Sequence, residues 1–185
     1  MIVAIDFGIT NTDVALSNKS QYKFFSVPSK NANESFIDEI ISLIDIDITE
    51  ISQIVVTGGK SNELNESFKG VNLTKISETD AIGYGTKEIY KIENEPFITL
   101  SCGTGTACIH HQDGQFSYIG GIAVGGGTIS GLSKAILDSS SLEETTNLAL
   151  KGNRNNIDLL IGDVVNEIGI LNSNVTASNF AKLKN

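Results

Sequence analysis

Apolar and polar residues alternate along "MIVAIDFG" (1–8), "TDVALSN" (12–18) and "YKFFSVP" (22–28), which predicts three short strands, successive ones antiparallel, with a bend at residues 8–12. In "ESFIDEIISLID" (34–45) the spacing changes. Phe36, Ile37, Ile40, Ile41, Leu43 and Ile44 fall on one face of a helix. "ISQIVVTGG" (51–59) predicts a β-branched strand closed by glycines, and "SETDAIGYGTKEIYKI" (77–92) a helix opened by a Ser or Thr cap. Strand–strand–strand–helix–strand–helix is an α/β layer with mixed strand directions.

A second unit begins near Glu95. "PFITLSCGTGTACIHH" (96–111) repeats the strand–turn–strand design of the N-terminus, and "QFSYIGGIAVGGG" (115–127) adds one more strand. Helices are predicted over 128–138, 141–152 and 156–169. The repeated hairpin points to two similar lobes, 1–94 and 95–185, with a cleft between them.

Composition narrows the partners. A net charge of −9 with a pI near 4.6 disfavours a nucleic-acid backbone or an anionic membrane, and no apolar run is long enough to span a bilayer. Met1 leads straight into a strand without a charged leader, so a cytoplasmic protein is expected. Cys102 and Cys108 are expected to be reduced core thiols, and His110 and His111 exposed strand-end residues. The glycines bunch at 58–59, 83–85, 103–105, 120–121 and 125–127, which suggests close backbone approach to a ligand.

Two hairpin turns could cradle phosphate through backbone N–H groups and hydroxyls: Gly8, Thr10, Asn11 and Thr12 in the first, Gly103, Thr104, Gly105 and Thr106 in the second. Ordinary hairpin turns favour the same residues. Asp6, at a strand end, suits Mg²⁺ held through water. Gly126, Gly127 and Thr128 open a helix whose N-terminus could attract an anion; a hinge before a core helix is the alternative. "TGGKS" (57–61) is no Walker loop, because Ile54 stands where that motif needs its first glycine. Lys60 is expected on the surface. Glu78 and Asp80 either cap the helix that starts there or supply a general base.

"IDFGITNT", "VVTGGKSNE", "SETDAIGYG", "SCGTGTA", "GGIAVGGGTISGL", "GNRNNIDL" and "TASNF" resemble, in order and spacing, the type II pantothenate kinases, relatives of actin, heat-shock chaperones and sugar kinases. The resemblance runs from Met1 to about Lys182. It implies an α/β ribonuclease-H-like fold of two lobes and Mg-ATP in the cleft. It also implies γ-phosphoryl transfer to the primary hydroxyl of pantothenate, toward coenzyme A, by a homodimer. By the same resemblance Asp6 lies near the metal, and Gly8, Thr10, Asn11, Thr12, Gly103, Thr104 and Gly105 hold phosphates. Gly126, Gly127, Thr128 and Ser130 line the nucleotide, and Glu78 is the catalytic base.

Two positions depart from the family. The serine after the second turn and the arginine before the "VGG" strand, both pantothenate contacts, are here Ala107 and Tyr118. Losing the arginine removes the partner of the substrate carboxylate, so a neutral alcohol such as pantetheine is expected to be preferred. The family also continues past "TASNF", so an incomplete second lobe with exposed apolar surface is expected. A nucleotide-binding regulator without catalysis, or an ATPase module of the same superfamily, are the rival readings.

Overall fold

A computed structural model describes residues 1–18, 21–139, 141–165 and 169–184. The chain divides into two compact units, Met1–Thr128 and Ile129–Asn185.

In the first unit β1 (Ile2–Phe7), β2 (Asn11–Asn18) and β3 (Gln21–Pro28) form an antiparallel meander. A crossover through α1 (Glu34–Leu43) brings β4 (Gln53–Thr57) parallel to β1. The alternation of β1 sends Val3, Ile5 and Phe7 to one face, in register with Leu16, Val14 and Thr12 on β2. That face meets Phe36, Ile37, Ile40 and Ile41 of α1, and these residues form the core with Ile54 and Val56. Each such side chain, moved from water to core, contributes about 1.5–3 kcal/mol. Asn33 caps α1 by accepting the Phe36 amide at 2.9 Å. Leu43, expected on the buried face, is exposed.

Two strands join the sequence reading: β5 (Ser67–Phe68), and β6 (Val71–Lys75) parallel to β4. The sheet order is β3-β2-β1-β4-β6-β5. From β6 the chain enters α2 (Glu78–Tyr90), which packs on a second antiparallel meander of β7 (Phe97–Cys102), β8 (Thr106–Gln112) and β9 (Gln115–Ile122). Gly83 lets the Phe116 ring lie directly on the helix backbone, and Tyr84 meets the same ring edge-on at 4.7 Å.

His111 corrects the expectation of an exposed strand end. It is 2% exposed, stacked on Phe97 at 4.7 Å, because it shares the inward parity of Ile109. Cys102 and Cys108 are free thiols as expected, but Cys102 is exposed and not in the core. It lies with Ile98, Leu100 and Ile122 on the β7–β9 face away from α2, where these three apolar residues are also exposed.

The second unit takes up most of α3 (Gly126–Leu137), and α4 (Leu142–Lys151) follows. Thr145 donates to Ser133 at 3.0 Å and ties the two helices. The helix expected over 156–169 does not form as such. Leu159–Leu160 is β10, paired with β11 (Thr176–Ser178), and only Ile161–Val164 is helical, as α5. Residues 166–168 of that stretch lie outside the described residues. The cause is polar pairing, one pair distant in sequence and one local. Asp158 accepts the Phe180 amide at 3.1 Å, and Asp163 accepts the Leu160 amide at 2.8 Å. Among the described residues no helix is long and apolar enough to cross a membrane.

Candidate functional site

The β1–β2 turn is held from behind. Its Gly8 lies so close to the Asn11 carbonyl that a Cβ has no room, and Ser29 donates to the Gly8 carbonyl at 2.5 Å. Thr12 is fully buried with its hydroxyl on Ser29 at 3.1 Å, so it braces the turn from within the protein. Thr10 and Asn11 remain exposed at the tip. Sequence reading missed Ser29; its only signal is a hydroxyl directly after Pro28, where the edge strand ends. The tips of the two hairpins meet: Thr10 and Thr104 hydroxyls are 3.0 Å apart.

The start of α3 docks onto the second turn. The Gly126 amide donates to the Gly103 carbonyl at 2.8 Å, and the Gly127 amide to the Thr104 carbonyl at 3.0 Å. A Cβ on Gly125 would press on both of those carbonyls, at 2.8 and 2.6 Å. The Thr128 hydroxyl bonds the Ala123 carbonyl at 3.0 Å. Two of the helix-end donors expected to face an anion are therefore engaged by the protein, and these glycines permit helix–turn contact. Ser130 falls in the second unit. Gly103 is the opposite case. A Cβ there would meet only the Gly105 carbonyl, at 3.9 Å, so packing within the protein gives no reason for a glycine.

Asp6 closes β1 on the sheet face opposite α1, level with Asp13 on β2 and Thr57 on β4. Partial removal from water pushes its carboxyl up, and the Glu78 and Asp13 charges push it further. Glu78 therefore lies within electrostatic reach of Asp6. The two acidic residues of α2 separate in role. Ser77 is the N-cap, accepts the Asp80 amide at 3.0 Å and donates to the Asp80 carboxylate at 2.7 Å. Glu78 is exposed and has no hydrogen-bond or ion-pair partner among the described residues. Capping thus accounts for Asp80 and leaves Glu78 uncommitted. Gly58 (φ +71°) and Gly59 (φ +44°) let the end of β4 close against β1, where a Cβ on Gly58 would strike the Asp6 carboxylate and lie 2.9 Å from the Phe7 carbonyl. The Thr57 hydroxyl oxygen is buried without a partner.

Lys60 pairs with Glu63 at 3.7 Å on the surface, as expected. Ala107 stands opposite Gly121 on β9, and the Tyr118 hydroxyl folds over Gly121, bringing the two departing positions together. In the second unit "GNRNNIDL" and "TASNF" clasp each other: Arg154 donates to Thr176 at 3.0 Å, and Lys182 to the Asn155 carbonyl at 3.0 Å.

The family model described as Fumble matches residues 8–185. The chain belongs to the Fumble family. It is 33% identical to a type II pantothenate kinase of Bacillus anthracis over 97% of its own length and 65% of that protein's. It is 34% identical to one of Bacillus cereus (strain ATCC 14579), over 97% and 66%. The chain therefore spans about 65% of the length of the curated relatives it matches. Two solved structures share its fold. One is the activator of 2-hydroxyisocaproyl-CoA dehydratase from Clostridium difficile with bound ADPNP, at TM-score 0.58 and 17% identity over 86% of this chain and 59% of that one. The other is a ROK family protein from Streptococcus pneumoniae in complex with sucrose, at 0.50 and 13% over 82% and 68%. The fold is thus the α/β ribonuclease-H-like fold.

Proposed function

We propose that this Fumble-family chain carries an ATP-dependent phosphotransferase site that moves the γ-phosphoryl group of Mg-ATP to the hydroxyl of pantothenate or a related small alcohol, toward coenzyme A. The observation that carries the reading is the meeting of the Thr10 and Thr104 hydroxyls at the two hairpin tips, together with Asp6 at the end of β1 within electrostatic reach of an uncommitted Glu78. The similarity to type II pantothenate kinases supports the acceptor class.

Gly8, Thr10 and Asn11 with Gly103, Thr104 and Gly105 hold the phosphates, and Asp6 holds the metal side through water. Room at Gly103 fits a bound anion, since nothing in the protein fills it. When bound, Mg²⁺ neutralises charge on the transferring phosphoryl group. Glu78 positions the acceptor hydroxyl and takes its proton as the new O–P bond forms and the bond from the γ-phosphorus to the β,γ-bridging oxygen breaks, with ADP as the leaving group. Thr12 and Ser29 keep the first turn rigid. Gly126 and Gly127 hold the second turn through the start of α3, and Thr128 ties that start to the Ala123 carbonyl. Ala107 and Tyr118 line the acceptor side, where no arginine offers a partner for a carboxylate. Residues 1–94 and 95–185 are read as the two lobes of each protomer in a cytoplasmic homodimer, and exposed Ile98, Leu100 and Ile122 support association.

Titration calorimetry of Mg-ATP into the wild type and Gly103→Val tests the reading. Binding by the wild type and its loss in Gly103→Val, with the unfolding midpoint unchanged, is the expected outcome. Equal binding by both, or none by the folded wild type, contradicts it.

A further inference from the structure

The β1–β2 turn takes its orientation from one residue outside it. β3 ends at Pro28, and Ser29 follows. The Ser29 amide donates to the Thr10 carbonyl at 3.1 Å, and its hydroxyl donates to the Gly8 carbonyl at 2.5 Å. A serine hydroxyl has one proton, and the Gly8 carbonyl takes it. The Thr12 hydroxyl, 3.1 Å away, is therefore the donor of a third bond, which the Ser29 oxygen accepts.

These bonds decide which way the turn's own donors face. Among the described residues no peptide bond is cis, so each carbonyl and the N–H of the next residue point in opposite directions. Drawing the Gly8 and Thr10 carbonyls toward Ser29 turns the Ile9 and Asn11 amides away from it. Ile9, Thr10 and Asn11 are exposed at the tip, and the Ile9 amide has no protein acceptor among the described residues. Outward-facing amides on a short turn form a concavity that suits an anion. A turn whose carbonyls were free to swing outward would present oxygens, which repel phosphate. Ser29 is itself held: Val27, two residues earlier, packs against the core, and its neighbour Lys30 pairs with Glu39 of α1 at 2.6 Å. Fixing Thr10 also sets its hydroxyl against that of Thr104, at 3.0 Å.

We infer that Ser29 is a positioning residue for the nucleotide phosphates: it fixes which amides of the first turn face the anion, and those are Ile9 and Asn11. The inference rests on the phosphotransferase reading for the identity of the anion. It deepens that reading by assigning phosphate affinity to a side chain outside both glycine turns, at a position that no sequence motif singled out. Ser29 acts through Gly8 and Thr10, and Thr12 acts through Ser29.

The test is an amide NMR titration of the nitrogen-labelled full chain with Mg-ADP, and with adenosine as the ligand that lacks phosphate. In the wild type Mg-ADP should shift the Ile9 and Asn11 amides, and adenosine should leave them in place. Ser29→Ala releases the Gly8 carbonyl, and apparent affinity falls with the fraction of molecules whose turn is correctly set. The expected result is Mg-ADP binding weakened about tenfold, near 1.4 kcal/mol, with adenosine affinity unchanged within about twofold. Ser29→Thr, which keeps the hydroxyl, should restore Mg-ADP binding. Thr12→Val serves as the second variant. It removes the donor that orients Ser29 and should weaken Mg-ADP several-fold, again without effect on adenosine.

Unshifted Ile9 and Asn11 amides in a wild type that binds Mg-ADP, or full Mg-ADP affinity in Ser29→Ala, overturn the inference. So does an equal loss of Mg-ADP and adenosine binding, which would mark Ser29 as structural only. The expected split between Mg-ADP and adenosine in a protein that phosphorylates no alcohol would leave Ser29 assigned and remove the phosphotransferase reading. Phosphorylated alcohol with unshifted amides would do the reverse. A folded wild type that does not bind Mg-ADP overturns both.

Discussion

Replacing Gly58 with alanine tests how the end of β1 is held. Gly58 sits at φ +71°, where an L side chain costs about 1–2 kcal/mol. Its new Cβ would also lie 2.9 Å from the Phe7 carbonyl oxygen and 3.1 Å from that carbonyl carbon, both backbone atoms within the sheet and unable to swing aside. Forcing such an overpacked contact costs about 1–3 kcal/mol. The stiffer unfolded chain returns about 0.4–1 kcal/mol. The net expectation is a loss of about 1–5 kcal/mol, set against the roughly 5–15 kcal/mol typical of a domain. Urea unfolding followed by far-ultraviolet circular dichroism reads it, since the chain has no tryptophan. Because the same Cβ strikes the Asp6 carboxylate, Mg²⁺ dependence of nucleotide binding should weaken in parallel. A change below about 0.5 kcal/mol with binding intact would refute the argument that Gly58 exists for this close approach.

Glu78→Gln should keep Mg-ATP affinity within a few-fold and lower turnover by roughly 10²–10⁴, whereas Ser77→Ala, which removes the actual cap, should cost about 1 kcal/mol of stability; a stability loss in Glu78→Gln with unchanged turnover would show that Glu78 is structural. Asp6→Asn carries a pH signature. The Asp6 carboxyl titrates above its ordinary value, so its ionisation opposes folding, and that penalty grows as pH rises from the unfolded value through the folded one. Asp6→Asn should therefore raise the unfolding midpoint at neutral pH, leave it unchanged well below pH 3.8, and remove Mg²⁺-dependent nucleotide binding. A midpoint lowered at neutral pH would contradict the assigned causes.

Strands with clear alternation and the helices α1 to α4 were legible in the sequence, because one buried face dictates a period of two or 3.6. Other elements were not. β5 is two residues long and β6 holds a single fully buried apolar side chain, Leu73, so neither carries a readable period. The stretch 156–169 has helical spacing, yet Asp158 is drawn to the distant Phe180 amide and Asp163 to the nearby Leu160 amide, and this polar pairing overrides the pattern. At the site, hairpin glycines and Glu78 could be named from sequence. What could not be read was which glycines serve packing. Gly126 and Gly127 sit against the second turn, while Gly103 faces open space, and only the folded arrangement separates those cases. His111 was misread because its neighbour suggested a strand end, although parity with Ile109 already pointed inward.

The central claim is phosphoryl transfer to a small alcohol at the Asp6–Glu78 site. Mass spectrometry of products after incubating the full chain with Mg-ATP and an equimolar mixture of pantetheine and pantothenate tests it most directly. The account predicts phosphorylated pantetheine in excess over phosphorylated pantothenate, with both lost in Glu78→Gln. A folded protein that binds Mg-ATP yet forms neither product, or forms both equally with and without the Glu78 carboxylate, would contradict it.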